Sequence, residues 1–473
     1  SGHAVVPVYI LDDAAAGDWA MGGASRWWLH HSLMDLDAGL RHAGSRLIVQ
    51  KGDAGTILAA LAAKLDAEAI YTQTRGEPWS KAQLAQISAD MAARGCPVHQ
   101  YNAAFLSDFG DVLSKAGTRM KVFTPFKKNL LKQLAGLEPG GRLIRPICTR
   151  PSAIPAPTTW PESHEIPEST NVDALGLLPV SPDWSGGIAA SWRVGEGAAL
   201  QRLDDFLEGI APNYHVSRDR PSVDGTSRLS PHLHFGEISP VTIYHAVMEK
   251  TAMERQQKGA EAAEGMAVFL SEVIWREFSY ELLDQFPHMT DAPMKDDFAA
   301  FPWADGYEDV LAAWQEGRTG YPLIDAGMRE LYETGWMHNR VRMITASFLT
   351  KHLLVPWQEG ARWFFDTLVD ADLASNSAGW QWVAGCGADA SPYFRIFNPI
   401  SQGTKFDAGA YTRRWCPELK QLDDKALFEP FNQGAIVLEG AGVRLGQNYA
   451  KPLVDHPTAR QRALDAFQVM RGA

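Results

Sequence analysis

Cysteine is scarce in this chain of 473 residues: Cys96, Cys148, Cys386 and Cys416 lie far apart, with no CxxC spacing. That scarcity excludes a disulfide framework and gives no zinc or iron–sulfur ligand set, so the thiols read as reduced and incidental. No apolar run approaches the length of a membrane span, and the opening SGHAVVPVYILDD lacks a charged segment followed by an apolar one. The expectation is a cytoplasmic protein with no membrane attachment. Low-complexity tracts are absent and hydrophobic residues make up 45% of the chain, which argues for an ordered globular protein. No GxGxxG follows a strand, so the phosphate fingerprint of a Rossmann dinucleotide site is missing. Positive charge is also in deficit: a net charge of −12 argues against indiscriminate nucleic-acid binding, whose affinity rests on phosphate neutralisation. The local distribution differs from the mean. Arg218, Arg220, Arg228, Arg340, Arg342, Arg395, Lys405, Arg413 and Arg414 fall within the segments that carry the other signals, so a basic surface remains open to an acidic protein.

What is present divides the chain in two. Up to about residue 120, β-rich runs alternate with amphipathic helices. AVVPVYIL, RLIVQ, AIYT and PVHQY read as strands; the segments from Ser25 to Gly44, AGTILAALAAKL and Ser80 to Arg94 read as helices. This βαβ series predicts a parallel sheet with right-handed crossovers. From Thr124 to about Trp192 proline accumulates, with PICTRPSAIPAPTTWPESHEIPEST at its centre, and an extended connector is expected. Beyond Gly195 the period is helical, most clearly at 239–250, 262–286, 323–334 and 339–354. The expected domains are 1–123 (α/β), 124–194 (linker) and 195–473 (all-helical).

The segment from Trp336 to Trp382 is the densest in chemistry. Asn339, Arg340, Arg342, Asp370, Asp372 and Asn376 are interleaved with apolar helical residues and with Trp336, Trp357, Trp363, Trp380 and Trp382. Charge and amide groups buried at that density require partners. A flat, polar, redox-active ring would satisfy them. Metal is not expected, because His338 and His352 provide no matching ligand set for Asp370 and Asp372. In DGTSRLSP, Thr226, Ser227 and Ser230 stand at an expected helix start with Pro231 just after, suited either to hold a diphosphate or to serve as a plain N-cap. Glu272 and Trp275 stand three apart and share a helix face. His232 and His234 have no nucleophile or metal partner and read as structural.

Five blocks in order, DGTSRLSPHLHFGEISP, FLSEVIWREFSYELL, WQEGRTGYPLIDAGMREL, the Trp336–Trp382 segment and YFRIFNPISQGTKFD, make the chain resemble the cryptochrome/photolyase family, and within it the class I bacterial photolyases of cyclobutane pyrimidine dimers. The resemblance implies an N-terminal Rossmann-like α/β domain and a C-terminal helical domain holding FAD as a reduced anion. It also implies one more, central strand ahead of Ser1, so that a sheet lacking it leaves two edges unpaired. By the same resemblance Tyr214, Thr226, Ser227, Arg228, Leu229, Ser230, Arg276, Asn339, Arg342, Asp370, Asp372 and Asn376 bind FAD, Arg342 pairing with Asp370 and Asn376 lying near N5. Trp380, Trp357 and Trp303 occupy the positions of an electron-hopping chain, while Trp314, Trp336 and Trp363 read as packing. Glu272, Trp275, Met343 and Trp382, with Asn339, match the dimer pocket; the expected catalytic residues are Glu272 and Met343 there and Asn376 at the flavin. Arg218, Arg340, Arg395 and Lys405 are expected to grip DNA phosphates. A second chromophore, whether folate, deazaflavin or FMN, is implied between the domains, near 72–79, Phe105 to Phe109, Lys127 and Lys128. The expected partner is dimer-containing DNA, met by a monomer beside the nucleoid. The rival readings are a signalling cryptochrome and a dark, nicotinamide-dependent flavoprotein.

Overall fold

The computed structural model describes residues 3–136, 149–158, 160, 171–258, 263–390 and 394–472. Cys148, the middle of the proline-rich stretch and Tyr393 of the last block lie outside the described residues.

The N-terminal part follows the expected alternation: β1 (Val8–Leu11), α1 (Gly23–His42), β2 (Ile48–Lys51), α2 (Ala54–Leu65), β3 (Ile70–Gln73), α3 (Pro78–Ala93) and β4 (Val98–Tyr101). Local chemistry sets the boundaries. Asp53 caps α2 by accepting from the Thr56 amide at 2.7 Å, and Asp66 ends the helix in the left-handed region at φ 47°. The strands pair in parallel, Val8 opposite Ile48 and Ile70 opposite Val98, but as two separate ladders. Among the described residues no strand joins them. Ile10 of one ladder and Ile70 and Val98 of the other pack on one cluster with Ile87, Met91 and Cys96.

The connector expected to be extended from Thr124 opens instead with a helix, α4 (Phe123–Gly136). Its buried Phe126, Leu130 and Leu134 recur every four residues, an apolar stripe that the prolines further on obscured. These side chains join the core around α8 (Glu264–Gln285), so by packing α4 belongs with the helical half. That half continues with a five-residue helix, α6 (Ser230–His234), preceded by α5 (Glu196–Asp205) and followed by α7 (Pro240–Lys258), then by α8. Next come α9 (Pro322–Thr334), α10 (Asn339–Ser347), α11 (Trp357–Thr367), α12 (Leu373–Ala384), α13 (Pro399–Phe406) and α14 (Ala410–Trp415), and α15 (His456–Gly472) closes the chain. An α/β domain followed by a helical one is thus the architecture, as expected. Among the described residues no helix is long and apolar enough to cross a membrane.

The two halves interlock through charge and close approach. Glu281 of α8 accepts from Arg119 at 2.6 Å and from the Gly110 amide at 3.1 Å, while Trp28 of α1 donates to Glu237 at 3.0 Å. At Gly22 a Cβ would stand 2.3 Å from the Asp366 Cα, so α1 can abut the helical half only through glycine.

Candidate functional site

Three helices turn accessible faces toward one cleft. On α12 the flanks are buried, yet Asn376, Gly379 and Trp382, spaced to share a face, are not. A Cβ built at Gly379 meets no atom within 4 Å, so open space stands over the middle of an otherwise buried helix. Glu272, Trp275 and Arg276 are likewise the accessible residues of α8 between buried Ser271, Val273, Ile274 and Glu277. Asn339, Arg340, Arg342 and Met343 are those of α10.

Asp370 ties three segments together. Arg342 donates to its two oxygens at 3.1 and 2.9 Å and to the Met337 carbonyl at 2.7 Å; Ser230 donates to it at 2.6 Å from the start of α6. Ser230 is exposed although Leu229 and Pro231 beside it are buried, so its hydroxyl edges the cleft. The expected Arg342–Asp370 pair is therefore present. Asp372 caps α12 by accepting from the Ser375 amide at 2.8 Å, and its other oxygen accepts from the Tyr280 hydroxyl at 2.6 Å, with His234 at 3.9 Å. Burial pushes its pKa up, but hydrogen bonding to His234 and Tyr280 and the charges of Arg276 and His234 outweigh that and hold it well below the usual carboxylate range. Asn376 donates to the Ala361 carbonyl at 2.9 Å, which orients its amide on the open face.

The 224–230 loop is held from behind. Arg202 of α5 donates to the carbonyls of Thr226 at 2.7 Å and Ser227 at 2.8 Å, and Gly225 lies against the Ser217 backbone, 2.6 Å from a built Cβ. α6 has no side-chain cap at Leu229, so the plain N-cap reading of this loop is not observed. Arg228, at φ 52°, lays its guanidinium over Trp336 at 4.6 Å and Trp192 at 5.6 Å, committing it to ring faces. Tyr214 is buried, and burial followed by the Glu272 charge pushes its hydroxyl above the ordinary range. Arg276 turns toward the N-terminal half, donating to the Ala104 carbonyl at 2.7 Å and covering Phe105 at 5.4 Å and Tyr280 at 5.2 Å.

At the outer rim the expected residues are already engaged with one another. Glu272 accepts from Arg218 at 2.6 Å, Arg340 donates to Asp219 at 2.6 Å, and Trp275 stacks on Phe123 with centroids 3.6 Å apart and planes at 7°. Trp382 donates to the Asp389 carbonyl at 3.2 Å, and Asn339 approaches the Met343 sulfur at 4.0 Å. Arg395 and Lys405 are exposed, over Phe397 at 5.9 Å and Phe406 at 5.0 Å. Trp380 is buried edge-on against Phe364 at 5.0 Å and Trp314 at 6.2 Å. Gly360, one turn after Trp357 on α11, admits the Trp380 ring so closely that a Cβ would sit 2.0 Å away. Trp357 and Trp303 then share a 440 Å³ surface cavity with Arg362 and Glu359. Trp380 thus packs against the helix that carries Trp357, and Trp357 and Trp303 line that cavity together.

Several contributors escaped the sequence reading. Tyr280 sits one turn after Arg276, a spacing that offered a signal. His234 was assigned to structure, yet it flanks Asp372; His232, bound to Glu237 at 2.5 Å and edge-on to Trp28, keeps its structural role. Phe123 and Asp219 could not be anticipated, since their partners are remote in sequence or set by rotamer. The donor set fits a flavin: an open glycine face for a flat ring, an amide and a cation beside it, and hydroxyls of a pinned loop at one end.

Residues 1–149 match a family model described as DNA photolyase, and residues 269–469 match one described as the FAD binding domain of DNA photolyase. The deoxyribodipyrimidine photo-lyase of Agrobacterium fabrum is 43% identical over 99% of this chain and 93% of its own length. Cryptochrome-1 of Arabidopsis thaliana is 33% identical over 98% of this chain and 66% of its own length. A solved structure of a bacterial class III photolyase from Agrobacterium tumefaciens shares 42% identity and superposes with a TM-score of 0.90 over 100% of this chain and 93% of that one. The chain belongs to the DNA photolyase and cryptochrome family, and its helical half carries the family's FAD-binding domain. The class I expectation gains no support from that neighbour, which is a class III enzyme.

Proposed function

We propose that the protein is a deoxyribodipyrimidine photo-lyase that repairs cyclobutane pyrimidine dimers in DNA under light. The observation that carries this reading is the open Asn376–Gly379–Trp382 face of α12, bounded at one end by Asp370, Arg342 and Ser230 and at the other by Glu272 and Trp275 of α8. One end suits a flavin, the other a pair of fused bases. The names of its relatives support the same activity. Identity to the class III structure favours class III over class I.

Reduced FAD, when bound, supplies on excitation the electron that opens the cyclobutane ring, and receives it back. The chain's own work is binding, orientation and charge. Arg342 offers positive potential beside Asp370, favouring an anionic ring; Asn376 presents an amide that can donate a hydrogen bond without surrendering a proton. Thr226, Ser227 and Ser230 hold phosphates, with Tyr214 walling the site. Trp275 and Trp382 stack on a flipped dimer, and Glu272 hydrogen-bonds its bases; extrusion of the damaged bases by photolyases is the general precedent for such a pocket. Trp380, Trp357 and Trp303 conduct electrons inward from the surface. A second chromophore belongs near Phe105, Phe109 and Arg276, where aromatic and cationic groups meet between the halves. The monomer works on DNA in the bacterial cytosol.

The test is a dimer-containing oligonucleotide under blue light. Dimer loss that needs both light and FAD is expected. Full FAD loading with no dimer loss would favour a signalling cryptochrome, and dark NADH oxidation the flavoprotein alternative. Glu272→Ala should cut the repair yield with FAD retained, and Asn376→Asp should disturb the stable reduced state; unchanged repair and redox behaviour in both would remove these assignments.

A further inference from the structure

Two of the three arginines expected to hold DNA, Arg340 and Arg218, are occupied by carboxylates of this chain. Arg340 donates to Asp219 at 2.6 Å, and Arg218, next to Asp219 in sequence, donates to Glu272 at 2.6 Å. These are short, charge-assisted bonds in the geometry a phosphate oxygen would use. Neither pair is sealed from water: side-chain exposure is 23% for Arg340 and 38% for Asp219, and 24% and 30% for Arg218 and Glu272. Pairs of that exposure exchange partners readily. The Arg340 guanidinium also lies over the Phe406 ring at 4.6 Å, so it stays in place at the rim when its anion changes.

We infer that Asp219 is a specificity-determining residue, an internal phosphate mimic that occupies Arg340 and suppresses binding of undamaged DNA. This inference rests on the proposed lesion-binding reading. Glu272 plays the matching part for Arg218 with one difference: Glu272 has a second use. A flipped dimer takes its hydrogen bonds, weakens its hold on Arg218, and so frees a phosphate contact only where a lesion is present. Undamaged duplex offers no such exchange and must displace both carboxylates unaided. An acidic protein thereby acquires DNA affinity at the lesion alone.

The experiment uses the full FAD-loaded chain, in darkness, with a duplex carrying one cyclobutane dimer and the same duplex undamaged, titrated across salt. Asp219→Asn should tighten binding to the undamaged duplex about fivefold to tenfold and steepen the slope of log K against log salt by about 0.9, one added phosphate contact. Discrimination should fall accordingly, while repair per absorbed photon at saturating substrate is unchanged. Arg340→Gln should shallow the slope, and Asp219→Asn added to Arg340→Gln should have no further effect, since the pair acts as a unit. Unchanged affinity and slope in Asp219→Asn overturns the inference, as does an equal tightening with Arg340 absent. Wild-type protein that prefers the dimer while Asp219→Asn changes nothing sinks the mimic alone. Wild-type protein with no preference sinks the lesion reading, and the salt slopes still decide the role of Asp219.

Discussion

The inner and outer ends of the cleft use the same kind of bond for opposite purposes. Inside, the Asp370 side chain is only 4% exposed and Arg342 binds both its oxygens, with Ser230 as a second donor. Outside, Arg340–Asp219 and Arg218–Glu272 are shorter still, at 2.6 Å against 2.9 Å, but have an open solvent side. Geometry alone does not separate a fixed charge from an exchangeable one. Solvation does: a buried carboxylate that loses its partner cannot recover the loss from water, whereas a rim carboxylate can.

That contrast can be broken in order of size. Asp370→Ala should destabilise by about 3 kcal/mol, because it strands Arg342 and releases Ser230, and it should cost FAD retention; urea unfolding and flavin absorbance report the two effects. Next comes Glu330 of α9, a buried carboxyl that accepts from Tyr411 at 2.7 Å. Burial, opposed by the Tyr411 hydrogen bond and the Arg228 charge, pushes its pKa from 4.5 up to about 7. A raised carboxyl pKa means that the folded state binds the proton more tightly, so its contribution is complete below pH 4.5 and is lost as pH rises toward about 7. Thermal midpoints of the wild type should fall across that window relative to Glu330→Gln, which cannot ionise; parallel curves would remove the assignment. Tyr280→Phe should cost about 1–2 kcal/mol, since it takes one hydrogen bond from the buried Asp372 carboxylate, and should shift the bound-flavin spectrum; denaturant midpoints and absorbance check it. Least affected is the rim, where Asp219→Asn should change stability by less than about 1 kcal/mol in the same unfolding assay. A loss there as large as that of Asp370→Ala would erase the distinction between the two ends.

The alternation of β1 to β4 with α1 to α3 was legible because each strand and helix carries its own period and cap, as Asp53 does for α2. The four helical periods after Gly195 were legible for the same reason. α4 was missed although its stripe of Phe126, Leu130 and Leu134 is regular, because the proline-rich composition downstream outweighed it. In the cleft, Arg342 with Asp370 was anticipated through the family resemblance. The commitment of Arg276 to Ala104 and of Arg228 to two tryptophan faces was not, since each depends on which remote group lies within reach of a long, flexible side chain.

What the sequence alone determined is therefore local and periodic: strand and helix succession, a helical half dense in tryptophan, arginine and carboxylate, and the near absence of usable thiols. Tertiary structure decided which charges are sealed and which stay open to water. That outcome depends on the burial of Asp370 and Asp372 among α10, α12 and Tyr280, and on the solvent left at Asp219, because the strength of an ion pair is a property of its surroundings rather than of its two residues.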